Sequence, residues 1–169
     1  ENVLKALQEL ANYHRKQFNI PVIGITGSNG KTTTKELIGA ILETTYKTLY
    51  TKGNLNNHIG VPLTLLGLNE SHEVAIIEMG ANKPGDIKEL AETSEPNYGI
   101  ITNIGTAHIE GFGSLEGVIN TKKELYDFIL KVEGKIFINQ EDKLLNDIVP
   151  EPISHITYGE QERSYVHGE

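Results

Sequence analysis

With 169 residues, 38% of them hydrophobic, the chain can bury one good core and fits a single domain. A net charge of −8 argues against a general nucleic-acid or anionic-membrane surface, and the absence of cysteine excludes disulfides and thiolate metal sites, in keeping with a reducing compartment. Aliphatic runs such as Val74-Ala75-Ile76-Ile77 are far too short to span a bilayer, the sequence offers no secretory h-region, and Glu1 in place of an initiator methionine leads us to expect a piece of a larger protein.

Val3, Leu4, Leu7, Leu10, Ala11 and Phe18 recur at helical spacing, which predicts an amphipathic lead-in helix and linker over residues 1–20. Residues 21–25 read as a buried strand, glycines follow, and Lys31 opens a helix to about residue 45 that carries Leu37, Ile38, Ile41 and Leu42. Residues 47–51 suggest a short strand, 52–58 are rich in Gly and Asn and therefore irregular, and 61–68 read as a helix begun near Pro62. A third strand over 73–79 ends in Glu78-Met79-Gly80, and a helix with Pro84 at its first position follows to about residue 92. A fourth strand (98–103), a long helix (114–132), a fifth strand (135–139), a helix (142–149) and a candidate sixth strand (153–158) complete the pattern; beyond Gly159 the charged tail predicts nothing. Strands alternating with helices, and apolar throughout, predict an α/β fold with a mostly parallel sheet flanked by helices. Ligands of such sheets gather beyond the carboxyl ends of the strands. The segments leaving the first, third and fourth strands bring Gly27 to Thr32, Glu78, and Asn103 to His108 to that edge.

The stretch Gly24-Ile25-Thr26-Gly27-Ser28-Asn29-Gly30-Lys31-Thr32-Thr33-Thr34 is the most informative of these. A glycine-rich turn at a helix N-terminus converges N–H groups on an anion, Lys31 can reach outer phosphates, and the Thr32 hydroxyl can hold Mg²⁺. The usual phosphate-loop spacing would place a glycine at position 25, where Ile25 stands. Glu78, after four apolar residues, is either a carboxylate that holds Mg²⁺ or the first solvated position of its strand. His108 lies in a glycine-punctuated loop and reads as a surface group or, when neutral, a metal ligand. Lys122 falls in the middle of a helical stripe formed by Leu115, Val118, Ile119, Leu125, Tyr126 and Ile129, with Glu124 pointing the other way. An ammonium there either snorkels to the surface or points into a cleft where its charge, or a modification of its amine, is used. The run from Lys52 to Pro62 holds Asn54, Asn56 and Asn57; it is either a turn or a set of donors and acceptors for a polar ligand.

Taken together, these residues resemble the Mur ligase family of ATP-dependent amide-forming enzymes in bacterial peptidoglycan synthesis, over residues 3 to 149. Thr26-Gly27-Ser28-Asn29-Gly30-Lys31-Thr32-Thr33 is similar to that family's phosphate loop, Glu78-Met79-Gly80 to its acidic metal position, Asn103 to His108 to its histidine loop, and Lys122 to its carbamylated lysine. Gly53 to Pro62 and His108 to Gly113 look most like the member that joins D-alanyl-D-alanine to UDP-N-acetylmuramoyl-tripeptide. The resemblance implies a P-loop nucleotide-binding fold and a cytoplasmic enzyme that acts as a monomer. In that chemistry ATP converts a substrate carboxylate to an acyl phosphate, which the incoming amine displaces. ATP would be held by Gly27, Ser28, Asn29, Gly30, Lys31, Thr32 and Thr33, one Mg²⁺ by Thr32 and Glu78, and a second by His108 and carbamylated Lys122. Lys31, Lys122 and His108 would carry catalysis. Residues 21–169 would then be a C-terminally truncated central ATP-binding domain without its N-terminal UDP-binding and C-terminal partners, so that it binds nucleotide weakly and does not ligate. The rivals are another Mur-type ligase, such as a folylpolyglutamate or cyanophycin synthetase, and a nucleotide switch module, which would have no use for a lysine in the cleft.

Overall fold

In a computed structural model, which describes residues 2–105 and 109–168, seven strands lie side by side. They are β1 (Val22–Thr26), β2 (Thr48–Tyr50), β3 (Val74–Glu78), β4 (Tyr98–Ile101), β5 (Lys135–Asn139), β6 (Ser154–Gly159) and β7 (Val166–His167). The order is β2-β3-β1-β4-β5-β6-β7, and every pairing is parallel. The helices are α1 (Val3–Arg15), α2 (Lys31–Leu42), α3 (Gly60–Leu65), α4 (Asp86–Ser94), α5 (Ile109–Phe112), α6 (Leu115–Lys131) and α7 (Lys143–Asp147). No helix among the described residues is long and apolar enough to cross a membrane.

Side chains alternate across the strands and fill two unequal layers. Val22, Ala75, Ile77, Ile101 and Ile136 join Leu65, Leu90, Leu125, Tyr126 and Ile129 in the main core, against α1, α3, α4 and α6. Ile25, Ile76 and Ile100 face the other way, toward Ile38 and Leu42 of α2. Among the described residues that second face carries α2 with no further layer above it. Leu37 and Ile41, two of the four apolar residues noted on this helix, are therefore 61% and 69% exposed, while Lys35 and Gly39 of the same helix are buried. Leu115 is also exposed, because α6 meets the sheet through Val118, Leu125, Tyr126 and Ile129.

Several elements differ from the sequence reading, three of them in ways that bear on the site or the sheet edge. Helix α4 begins at Asp86, not Pro84: Gly85 takes φ 89° at the cap, the Asp86 carboxylate accepts the N–H groups of Asn82 and Lys83, and Glu124 of α6 accepts those of Gly85 and Lys88 at 2.7 and 2.8 Å. The loop after β4 contains the single turn α5. Beyond Gly159, the Glu141 carboxylate accepts the N–H groups of Glu160 and Gln161 at 3.1 Å and turns the chain, so that β7 can pair with β6.

Arg15 fastens α1 to this frame. Its guanidinium is buried and donates to the carbonyls of Ser94 (3.1 Å), Phe18 (2.7 Å), Ile20 and Glu95, gathering the end of α4 and the lead into β1 around one cation. Arg15→Ala would leave these carbonyls without their donor and is expected to lower unfolding free energy by about 2–3 kcal/mol. Urea denaturation checks this, with Arg15→Lys recovering only part of the loss because an ammonium cannot reproduce the fork.

Candidate functional site

Gly27 to Gly30 form the loop between β1 and α2, and its shape is held from the side by the segment that follows β4. Asn103 accepts the Ser28 N–H on its carbonyl and the Asn29 N–H on Oδ1, both at 3.0 Å, and its Nδ2 donates to the Asn29 carbonyl at 2.9 Å. The Thr102 hydroxyl donates to the same carbonyl at 2.6 Å, and the Gly105 N–H donates to Ser28 Oγ at 2.9 Å. Gly27 sits at φ 145°, where a Cβ would fall 2.0 Å from Thr102 Oγ1, and Gly30 caps α2 at φ 77°, so both positions demand glycine. The N–H groups of Ser28 and Asn29 are thus spent on Asn103. Those of Lys31, Thr32 and Thr33 belong to the first helical turn, have no intrahelical acceptor, and point where the helix dipole is positive. Lys31 Nζ folds over the loop, donating to the carbonyls of Gly27 (2.9 Å) and Ser28 (3.4 Å). The result is an anion cradle with a cation at its mouth.

Beneath the first turn of α2 lies Glu78, 1% exposed at the end of β3. The register that sets Ile25 opposite Glu78 brings this carboxylate beside the loop. Its Oε1 accepts the Thr32 hydroxyl at 3.1 Å and Asn56 Nδ2 at 2.8 Å, and the Glu78 N–H donates to Thr51 Oγ1 at 3.0 Å. The asparagine-rich segment is fixed to the same strand end, since the Gly80 N–H donates to the Asn56 carbonyl at 2.7 Å.

A cavity of about 370 Å³ opens from the loop. Gly27, Ser28 and Lys31 line one side; Asn56, Asn57 and His58 line another; Asn82, Asp86 and Glu89 border it from α4; Phe112 and Lys122 close it. Lys122 is 3% exposed, and its Nζ stands 5.7 Å from the centroid of the Phe112 ring. Burial pushes its amine down, and the nearby Lys31 cation adds to this, while Asp86 and Glu124 act the other way; the outcome is a value of about 8.

The structure therefore brings Gly27, Ser28, Lys31 and Lys122 around one cavity and joins Thr32 to Glu78 just behind Asn56. Asn29, Gly30 and Thr33 complete the loop and the first turn of α2. His108 lies outside the described residues. Among the described residues no three His, Asp or Glu side chains converge as a ready-made metal cluster. The sequence reading brought Asn103 to this edge without its bracing role, and it passed over three residues beside the site. Asp86 and Glu89 looked like ordinary first-turn acids of a helix. Lys35 carried a usable signal: it lies three and seven positions before the half-buried Ile38 and Leu42, on the inward line of α2, the same pattern that singled out Lys122.

Residues 25–169 match the family described as the Mur ligase middle domain. The chain is 43% identical over 146 residues to the UDP-N-acetylmuramoyl-tripeptide–D-alanyl-D-alanine ligase of Bacillus subtilis, covering 86% of the chain and 32% of that protein. Among solved structures it is similar to MurF from Acinetobacter baumannii, with a TM-score of 0.87 and 41% identity over 93% of the chain and 35% of that protein. It is also similar to the MurF ligase from Thermotoga maritima in complex with ADP, with a TM-score of 0.87 and 33% identity over 95% of the chain and 38% of that protein. The chain spans about one third of the length of these relatives. With an anion cradle, a buried acid behind it and a buried lysine across one cavity, and with this family match over most of its length, the chain belongs to the Mur ligase family.

Proposed function

We propose that this chain is the ATP-binding part of a cytoplasmic ligase that joins D-alanyl-D-alanine to UDP-N-acetylmuramoyl-tripeptide through an acyl phosphate. The observation that carries the reading is Lys122, an amine buried in the same cavity as Lys31, in a chain whose relatives carry that ligase name. A module that only switched on nucleotide binding would pay for burying a second cation with nothing gained. The ADP complex of the similar Thermotoga maritima protein supports nucleotide as the occupant of the cradle.

In this reading the N–H groups at the start of α2 and the Lys31 ammonium hold the phosphates of ATP and neutralise charge as the terminal phosphoryl group moves. The substrate carboxylate attacks the terminal phosphorus, ADP leaves, and the acyl phosphate remains; the amine nitrogen then attacks the acyl carbon, phosphate departs, and the nitrogen loses a proton. The Thr32 hydroxyl and Glu78 Oε1, hard oxygen donors 3.1 Å apart beside the cradle, fit Mg²⁺ with the remaining positions left to phosphate and water. Bound there, Mg²⁺ would supply charge neutralisation at the phosphoryl oxygens. Lys122 suits carbamylation: its lowered value means that the ammonium gives up a proton to leave a share of free amine near neutral pH, and CO₂ adding to that amine with loss of a second proton leaves an anion where the cation stood. His108 joins this second site in the proposal.

The full-length protein incubated with ATP, Mg²⁺, UDP-N-acetylmuramoyl-tripeptide and D-alanyl-D-alanine should release one ADP for each amide formed; nucleotide turnover with no amide product would overturn the reading. Lys31→Ala should weaken ADP binding at least about tenfold, roughly 1.4 kcal/mol, by calorimetry. Lys122→Met has a signed dependence on pH. The unfolded amine titrates at its ordinary 10.5 and the folded one near 8, so the destabilisation is complete below pH 8 and disappears as pH rises past 10.5. The substitution should therefore stabilise the metal-free, CO₂-free protein by about 2–3 kcal/mol at pH 7, and thermal melts should show the gain shrinking above pH 8. Isotope-labelled bicarbonate should give a carbamate resonance in the unsubstituted protein that Lys122→Met lacks.

A further inference from the structure

Lys35 has no part in the chemistry above, yet its side chain is wholly buried. Its Nζ donates to the Thr51 carbonyl at 2.7 Å and lies 2.9 Å from Glu36 Oε1 and 3.7 Å from Glu78 Oε2. Glu36 alone does not account for this placement, because its side chain is half exposed and an ammonium could meet it in water without being desolvated. What the interior offers Lys35 is Glu78. The two oxygens of that carboxylate differ sharply. Oε1 accepts two hydrogen bonds, from Thr32 and Asn56, whereas Oε2 has no hydrogen-bond partner among the described residues, has no solvent contact, and faces Lys35.

We propose that Lys35 is a positioning residue that sets the choice of divalent cation: by holding Glu78 Oε2 inward it restricts Glu78 to one-oxygen ligation and so favours Mg²⁺ over Ca²⁺. The inference rests on the metal reading of Thr32 and Glu78 given above. Mg²⁺ demands near-octahedral oxygens at about 2.0–2.1 Å and keeps several waters, whereas Ca²⁺ takes six to eight oxygens at about 2.3–2.6 Å and readily accepts both oxygens of one carboxylate. A carboxylate whose second oxygen is turned to a buried ammonium cannot close around the larger ion. The ammonium charge itself repels either divalent cation alike, so its removal shifts both affinities together. The ratio between them reports the geometry.

The test uses calorimetric titration of the full-length protein with ADP in Mg²⁺, in Ca²⁺ and in chelator, comparing the unsubstituted protein with Lys35→Gln, which keeps an N–H donor for the Thr51 carbonyl but no charge. The Mg²⁺-over-Ca²⁺ preference should fall about tenfold in Lys35→Gln while metal-free ADP binding changes less than about twofold. An unchanged preference, or an equal loss under all three conditions, overturns the proposal and leaves Lys35 a packing residue. ADP binding by the unsubstituted protein that is indifferent to either metal overturns the metal reading beneath it as well. Should Lys35→Gln fail to fold, a crystal structure of the unsubstituted protein with Mg²⁺ and ADP decides: one Glu78 oxygen on the metal side and the other at Lys35 supports the proposal, and both oxygens turned to the metal defeat it.

Discussion

The site exists because β1 is hydrogen-bonded on both sides, to β3 through Ile25 opposite Glu78 and to β4 through Thr26 opposite Ile101. A parallel sheet aligns strand ends of like polarity, so three segments remote in sequence emerge together at one edge. From β1 comes the anion cradle, from β3 the buried acid, and from the segment after β4 the Asn103 brace. A slip of β3 by one residue would exchange Glu78 for Ile77 or Met79 at the cradle and send the carboxylate to the other face. The register of two short strands thus underlies the chemistry more directly than any single contact within it.

The two cations in the cavity show how position substitutes for composition. The chain is acidic overall, yet Lys31 and Lys122 line one cavity, and the Lys31 cation disfavours charge on Lys122. Such an arrangement is unfavourable until an anion stands between the amines or one of them is modified. Asp86 and Glu124 partly offset the repulsion around Lys122, and Glu124 also caps α4 with two backbone hydrogen bonds. One carboxylate on α6 therefore both steadies the rim of the cavity and tempers its electrostatics.

The alternation of apolar runs with amphipathic stretches made the order of elements through β6 and the parallel sheet legible in the sequence, because burial on both faces leaves a composition that tolerates few polar residues. The cradle was legible from its glycines, and Lys122 from a charge where periodicity called for an aliphatic side chain. Other features depend on pairing partners that periodicity cannot supply. The two-residue β7 exists because Glu141 turns the chain back, and α4 starts late because Asp86 and Gly85 form the turn before it. The exposure of Leu37 and Ile41 was not legible, because the spacing of an amphipathic helix does not reveal whether a further layer covers its outer side. The bracing role of Asn103 follows from tertiary contact alone.

The brace on the phosphate loop has an energetic consequence. Because Thr102, Asn103 and Gly105 already hold Ser28 and Asn29 in position, an arriving anion need not freeze the backbone that receives it. The entropy of ordering was spent during folding, by a different strand, and is not subtracted again at each encounter. For an anion in such a cradle, electrostatics and desolvation set more of the affinity than the ordering of the loop does.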